Sequence, residues 1–321
     1  MRKIILGKTG QEVSTISLGT WSYGGANKQG KIPVGWDGQD DKDSINALKH
    51  CYSVGINHWD TADVYGNGRS EKIIGSLWGT IPRNQVFLAT KVGWDMGDYE
   101  YYYHPTHMRS QMEKSLINLQ TDCVDLMYLH HCNFGKNGEY FEDAVATVQR
   151  FQEEGKTRFL GLSDWDLDKI MKYIDDFKPD VVQPYRNVMD DTYFSSGLKD
   201  WVEKNNAGVC YFSPIKHGIL TGKYDSIVEF PNGDFRKNVK EFKDIDFINR
   251  MKSNKEEIEK KFLDVHDDPI LHALLGAILY DNPTACALLG QRNEKQASAA
   301  GLLGKDLTKE EALWVLSLYK N

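Results

Sequence analysis

Four side chains able to move a proton stand where three apolar runs end. One run closes on Trp59-Asp60-Thr61-Ala62-Asp63-Val64-Tyr65-Gly66, the next on Ala89-Thr90-Lys91, and the third on Tyr128-Leu129-His130. A lysine at the end of an apolar strand is costly to bury unless a counter-charge meets it, and Asp60 on the neighbouring run is the natural partner. Tyrosine is a poor acid near neutrality, with an unperturbed pKa of about 10, and a nearby ammonium lowers that by roughly 1 to 3. Lys91 is therefore expected to acidify Tyr65, and Asp60 to keep Lys91 charged and in place. His130 is expected to hydrogen-bond a substrate oxygen or share the proton. Carbonyl reduction needs a hydride on carbon and a proton on oxygen, and this group of residues can supply the proton. A lone tyrosine near a glycine turn, or a lone strand-end histidine, is more often packing than chemistry. The reading rests on all four falling at three consecutive strand ends.

The elements that position them alternate. Strand-like runs cover 16–19, 57–61, 86–91, 124–130, 158–163, 181–183, 208–212 and 285–289. Amphipathic helical patterns cover 43–54, 70–78, 106–119, 141–154, 166–177 and 198–206, with one or more helices inside 246–280 and another over 293–300. Eight β-then-α units in succession predict α/β architecture, a single (β/α)8 TIM barrel spanning residues 1–321. An open doubly wound sheet would place a GxGxxG phosphate turn after its first strand, and Gly19-Thr20-Trp21-Ser22-Tyr23-Gly24-Gly25 lacks that spacing. Two additions are expected: an N-terminal β-hairpin pairing 4–6 with 12–14, and an extra C-terminal helix over 309–319, with Thr308 and Glu311 as a capping box. Long loops follow the first, third and seventh strands (22–40, 92–104, 213–244), on the face where barrels carry their active sites.

Bulk properties exclude several classes. The net charge is −7, and the 39 lysines and arginines are scattered, so no basic face is available for nucleic acid. The longest apolar run, 271–280, is interrupted by His272 and is far short of the ~20 residues a membrane span needs. The apolar stretch in the first seven residues is too short for a signal peptide, and a cytoplasmic protein is expected. Five widely separated cysteines form no CxxC pair and read as reduced thiols, most of them buried. His130-His131-Cys132 suggests no metal site, because strand alternation sends adjacent side chains to opposite faces, and no metal is expected.

With these motifs in place, the sequence resembles the aldo-keto reductase family over nearly its whole length. The segments that carry the resemblance are WDTADVYG (59–66), GRSEKIIG (68–75), LATK (88–91), LQTDCVDLMYLH (119–130), EGKTRFLGLSD (154–164), VVQ (181–183) and SPIKHGILTGKY (213–224). The resemblance implies a catalytic tetrad of Asp60, Tyr65, Lys91 and His130 and the cofactor NADPH (NADP+). It places Ser163, Asp164 and Gln183 at the nicotinamide carboxamide and Phe212 against the nicotinamide ring. Ser213, Ile215 and Gly218 fall along the pyrophosphate, and Gly290, Arg292 and Gln296 at the adenosine 2′-phosphate. Gly19, Thr20 and Trp21 are placed in the same cofactor cleft.

This chain departs from the family pattern twice. Residue 164 is Asp where Asn is common, and Ala299-Ala300 replaces a Glu-Asn pair expected near adenine. Trp21, Trp36 and Trp94 are candidates for the substrate pocket, and the Tyr99–Tyr103 run either walls that pocket or packs its loop down. The implied activity is NADPH-dependent reduction of an aldehyde or ketone, a sugar-like carbonyl among them. The alternatives are a polyol or sugar dehydrogenase working oxidatively, or a non-catalytic NADP(H)-binding sensor like the channel-associated relatives. The implied partner is a small carbonyl compound.

Overall fold

A computed structural model describes residues 1–29 and 31–320. The chain opens with β1 (Lys3–Ile5) and β2 (Glu12–Ser14), an antiparallel hairpin with Ile4 opposite Val13. After β3 (Ile16–Gly19) comes a short antiparallel ladder of β4 (Lys28–Gln29) and β5 (Ile32–Pro33) inside the first long loop. The remaining strands are β6 (His58–Asp60), β7 (Phe87–Val92), β8 (Val124–Leu129), β9 (Thr157–Asp164), β10 (Val181–Pro184), β11 (Gly208–Tyr211) and β12 (Ala285–Gly290). Strands β3 and β6 to β12 pair in parallel, and β12 closes on β3 with Leu288 opposite Ser17. This is the expected eight-stranded barrel with its hairpin.

Strand parity divides the interior into two cores. Phe87, Ala89, Leu126, Tyr128, Val181, Cys210, Cys286 and Leu288 point inward and meet Ile4, Leu6 and Val13 of the hairpin. Trp59, Leu88, Met127, Val182, Val209 and Ala287 point outward, under the helices. The hairpin covers the end where strands begin, and Gly7 lies so close to Ala207 and Gly208 that a Cβ there would sit 2.4 Å from their backbone atoms.

The helices are α1 (Asp41–Ser53), α2 (Arg69–Gly75), α3 (Pro105–Leu119), α4 (Phe141–Glu153), α5 (Leu167–Phe177), α6 (Thr192–Ser195), α7 (Leu198–Asn205), α8 (Ile245–Phe262), α9 (Pro269–Leu279), α10 (Glu294–Leu302) and α11 (Lys309–Tyr319). Helix α5 shows how sequence sets them. Asp166 accepts from the amides of Asp168 and Lys169, and Leu167, Ile170, Tyr173, Ile174 and Phe177 bury one face at helical spacing. The 246–280 region resolves into two helices because Asp268 caps and Pro269 opens a new start. Helix α11 carries the expected capping box of Thr308 and Glu311. Among the described residues, no helix is long and apolar enough to cross a membrane.

Candidate active site

Asp60 ends β6, Lys91 lies one residue from the end of β7, and His130 directly follows β8. Tyr65 sits on the turn between β6 and α2, and two glycines set its position. The backbones of Gly24 and Gly66 touch: a Cβ on Gly24 would lie 2.5 Å from the Gly66 nitrogen, and one on Gly66 2.3 Å from the Gly24 oxygen. Gly66 also has φ +62°, a region that side chains with a Cβ rarely occupy.

The tetrad converges. The Lys91 ammonium forms an ion pair with Asp60, donates to the Thr61 carbonyl at 2.9 Å and lies 3.4 Å from the Tyr65 hydroxyl. The second Asp60 oxygen accepts from Gln183 Nε2 at 2.9 Å. The His130 ring stands edge-on to Tyr65, centroids 6.0 Å apart, with its Nδ1 buried and unpartnered.

The electrostatics differ from expectation at Tyr65. Burial raises its pKa, and although Lys91 pulls it down, the hydroxyl remains above its ordinary value, with Asp60 adding to the rise. Loss of hydration outweighs one ammonium that is already paired. Burial also pulls Lys91 down, but Asp60 and Tyr65 more than offset it and its pKa is raised. Burial, aided by Lys91, drives His130 well below the usual imidazole value, so the ring is neutral.

A cleft of about 1250 Å³ opens above these groups. Asp60, Tyr65 and His130 line it, as do Gly19, Thr20, Trp21, Ser163, Gln183, Phe212, Ser213, Ile215, Gly218, Gly290, Arg292 and Gln296. Trp36 and Trp94 are in its wall. Trp21 stacks on Tyr65 with centroids 6.2 Å apart and meets Trp36 edge-on at 5.7 Å. Lys91 is buried and does not line the cleft.

Asp164 is the correction among the expected cofactor residues: it does not line the cleft. Its Oδ2 accepts from the Cys132 amide at 2.6 Å and its Oδ1 from the Asp166 amide at 2.8 Å. A carboxylate can only accept, and two backbone N–H groups hold it beneath the surface. Thr20 lines the cleft with its hydroxyl already engaged, donating to the Asp60 carbonyl at 2.8 Å and accepting from Ser70. The Tyr99–Tyr103 run packs its loop: Tyr101 stacks on Tyr140 at 3.6 Å, and Tyr103 donates to the His131 carbonyl. At the far end Ala299 lines the cleft where the expected polar pair is missing.

Sequence reasoning missed how the outer wall is joined. The Arg292 guanidinium reaches across to the first long loop, donating to Gln39 Oε1 at 2.9 Å and to the carbonyls of Asp37 and Gly38 at 2.8 and 2.6 Å. Asp234 accepts from the Asp37 amide at 2.9 Å and pairs with Arg236, whose guanidinium lies 4.5 Å from the Trp36 ring centre. Trp165, His217 and Phe235 complete the aromatic lining. His217 and Phe235 had membership in the third long loop as their only advance signal, and Trp165, in the short turn between β9 and α5, had none.

Asp60, Tyr65, Lys91 and His130 thus gather at the strand ends of a parallel barrel, beside a long cleft. The Aldo/keto reductase family model matches residues 15–311, and the chain belongs to that family. It is 30% identical over 235 residues to the NADH-specific methylglyoxal reductase of Escherichia coli, covering 69% of this chain and 70% of that one. It is also 30% identical over 225 residues to the L-galactose dehydrogenase of Arabidopsis thaliana, covering 67% of this chain and 66% of that one. Among solved structures, glycerol dehydrogenase from Gluconobacter oxydans superposes with a TM-score of 0.80 at 27% identity, covering 98% of this chain and 94% of that one.

Proposed function

We propose that this chain is a cytoplasmic NADPH-dependent reductase of aldehydes or ketones in which Tyr65 gives its proton to the carbonyl oxygen. The observation that carries this reading is the Tyr65 hydroxyl 3.4 Å from the paired ammonium of Lys91, at the floor of the cleft. With its pKa raised by burial, Tyr65 holds its proton through the neutral range. The proton moves only as charge develops on the substrate oxygen, when the fixed Lys91 cation stabilises the phenolate left behind. The neutral His130 ring, with an unpartnered nitrogen, serves as a hydrogen-bond partner for that oxygen rather than as a cation. The oxidative direction needs Tyr65 as phenolate, which its raised pKa disfavours near neutrality.

When bound, the nicotinamide supplies the hydride. Ser163, Gln183 and Phe212 would hold that ring, Ser213, Ile215 and Gly218 the pyrophosphate, and Gly290, Arg292 and Gln296 the adenosine end. The choice of NADPH rests on Arg292: among the described residues no carboxylate forms an ion pair with it, so its charge is available to a 2′-phosphate. The aromatic wall of Trp21, Trp36 and Trp94 suits a carbonyl compound with an apolar or sugar-like face. Five free thiols fit a reducing compartment.

Tyr65→Phe tests the reading. The variant is expected to bind NADPH like the parent, followed by fluorescence, while turnover on an aldehyde panel falls by about 10²–10⁴. Comparable steady-state reduction by the variant would remove Tyr65 from the role.

A further inference from the structure

Below the catalytic layer, the barrel interior contains polar chemistry that carbonyl reduction does not use. His58 stands two residues before Asp60 on β6, so it points the same way one layer nearer the hairpin. Cys210 of β11 and Cys286 of β12 are direct neighbours in the parallel register. All three are fully buried. The His58 ring nitrogen and the two sulfur atoms lie within 4.8 Å of one another. We propose that His58, Cys210 and Cys286 form a second, metal-binding site, fitted to a thiophilic d10 ion such as Zn2+.

Geometry and donor chemistry agree. The Cys286 sulfur lies 3.5 Å from His58 Nδ1. A tetrahedral zinc ion with Zn–S of about 2.3 Å and Zn–N of about 2.0 Å separates those two atoms by about 3.5 Å. Ser17 Oγ, 2.9 Å from the same nitrogen, is placed to give an oxygen as the fourth ligand. The edge of the His58 ring is set by Phe87, with centroids 5.2 Å apart and planes near perpendicular at 83°. Thiolate and imidazole together select zinc or copper(I) over magnesium or calcium, which want oxygen.

Charge supports the same assignment. The rest of this inner layer is apolar, with Phe87, Leu126, Val181 and Leu288 around it. A divalent cation there would be prohibitive by itself, but two thiolates neutralise it, and the net charge enclosed becomes zero. The site is sealed by the hairpin, so the ion would enter while the chain folds and not through the finished barrel. Its effect would be to clamp strands from the two ends of the chain, β6 against β11 and β12, across the seam where the barrel closes.

The test uses the full chain, refolded from denaturant with Zn2+ or Co2+ and then desalted against a weak chelator. Wild type is expected to retain one ion per chain by plasma mass spectrometry. The cobalt form should show thiolate-to-metal charge transfer and the absorption of a tetrahedral site. Zinc-edge X-ray absorption should find two sulfur ligands near 2.3 Å and at least one imidazole. Cys123→Ser, which removes the partly exposed thiol, should keep the ion, and Cys210→Ala/Cys286→Ala should lose it. The proposal fails if folded wild type holds no stoichiometric ion, or if the double variant retains it. A Cys210–Cys286 disulfide in protein purified with reductant would overturn it as well. Because the wild-type result alone decides, a double variant that does not fold leaves the proposal open to refutation.

Discussion

The floor of the cleft, around Asp60, Tyr65 and Lys91, and its outer wall are built from different material. At the floor, Asp60, Lys91 and Gln183 come from strands whose register fixes them, and each polar group is answered by another buried one. The wall joins two long loops and the segment after β12 by contacts among mostly half-buried residues: Arg292 to Gln39, Asp234 (itself buried) to Asp37, and Arg236 to Trp36. Moving one member of the floor leaves an uncompensated buried charge, whereas at the Arg292–Gln39 and Arg236–Trp36 links of the wall, which are only half-buried, solvent can take the place of a lost partner. The contrast teaches that the barrel strands hold the buried polar cluster, while the loops and strand ends around the cleft hold its wall.

The largest effects should therefore fall on the floor. Lys91→Met removes the cation facing Tyr65 and strands the Asp60 carboxylate. It is expected to lower turnover by about 10²–10⁴ and stability by roughly 3–5 kcal/mol in a denaturant melt. Asp60→Asn, which loosens Lys91 without deleting it, should cost less turnover. The opposite order, measured on folded proteins, would show that Asp60 has a direct part in the chemistry.

Arg292→Ala probes the wall. A charge-assisted contact to phosphate is worth about 1.5–3 kcal/mol, so NADPH affinity should fall roughly ten- to a hundredfold while NADH binding changes little. Equal losses for both cofactors in paired titrations would show that Arg292 serves the loop alone.

A pH-dependent effect belongs to Asp63, packed beside the floor. Burial, with Glu71 nearby, pushes its carboxyl up to about 8, against about 3.9 in an unfolded chain. The fold thus favours the protonated form, and the stability this contributes is full below about pH 4 and lost as pH rises toward 8. Asp63→Asn keeps a neutral partner for Gln111. It should flatten that decline by on the order of 3–4 kcal/mol between pH 5 and 8, read from unfolding midpoints. An unchanged pH slope would mean that Asp63 is ionised in the native state.

The smallest effect is expected at Asp164. Because its oxygens accept from the Cys132 and Asp166 amides, Asp164→Asn should leave the ratio of NADP+ to NADPH affinity within about twofold of the parent, since a charge held away from the ring acts weakly. A larger change would bring the carboxylate into contact with the nicotinamide after all.

Much of this molecule was legible in the sequence. Apolar runs of alternating type specified eight strands, and the capping residues Asp166, Asp268 and Thr308 marked helix starts, because these are local physical preferences. Asp60, Tyr65, Lys91 and His130 could be singled out because polar residues closing apolar strands need a reason to be there. Tertiary structure alone decided what happens where separate segments meet. It set the pKa of Tyr65, since burial depends on every neighbour, and it turned Asp164 toward the amide of Cys132, which no sequence pattern marks. It joined Arg292 to a loop more than 250 residues earlier. It also gathered His58, Cys210 and Cys286: strand parity shows that each faces one side of its strand, but only the stagger of a closed barrel brings three such positions to one level.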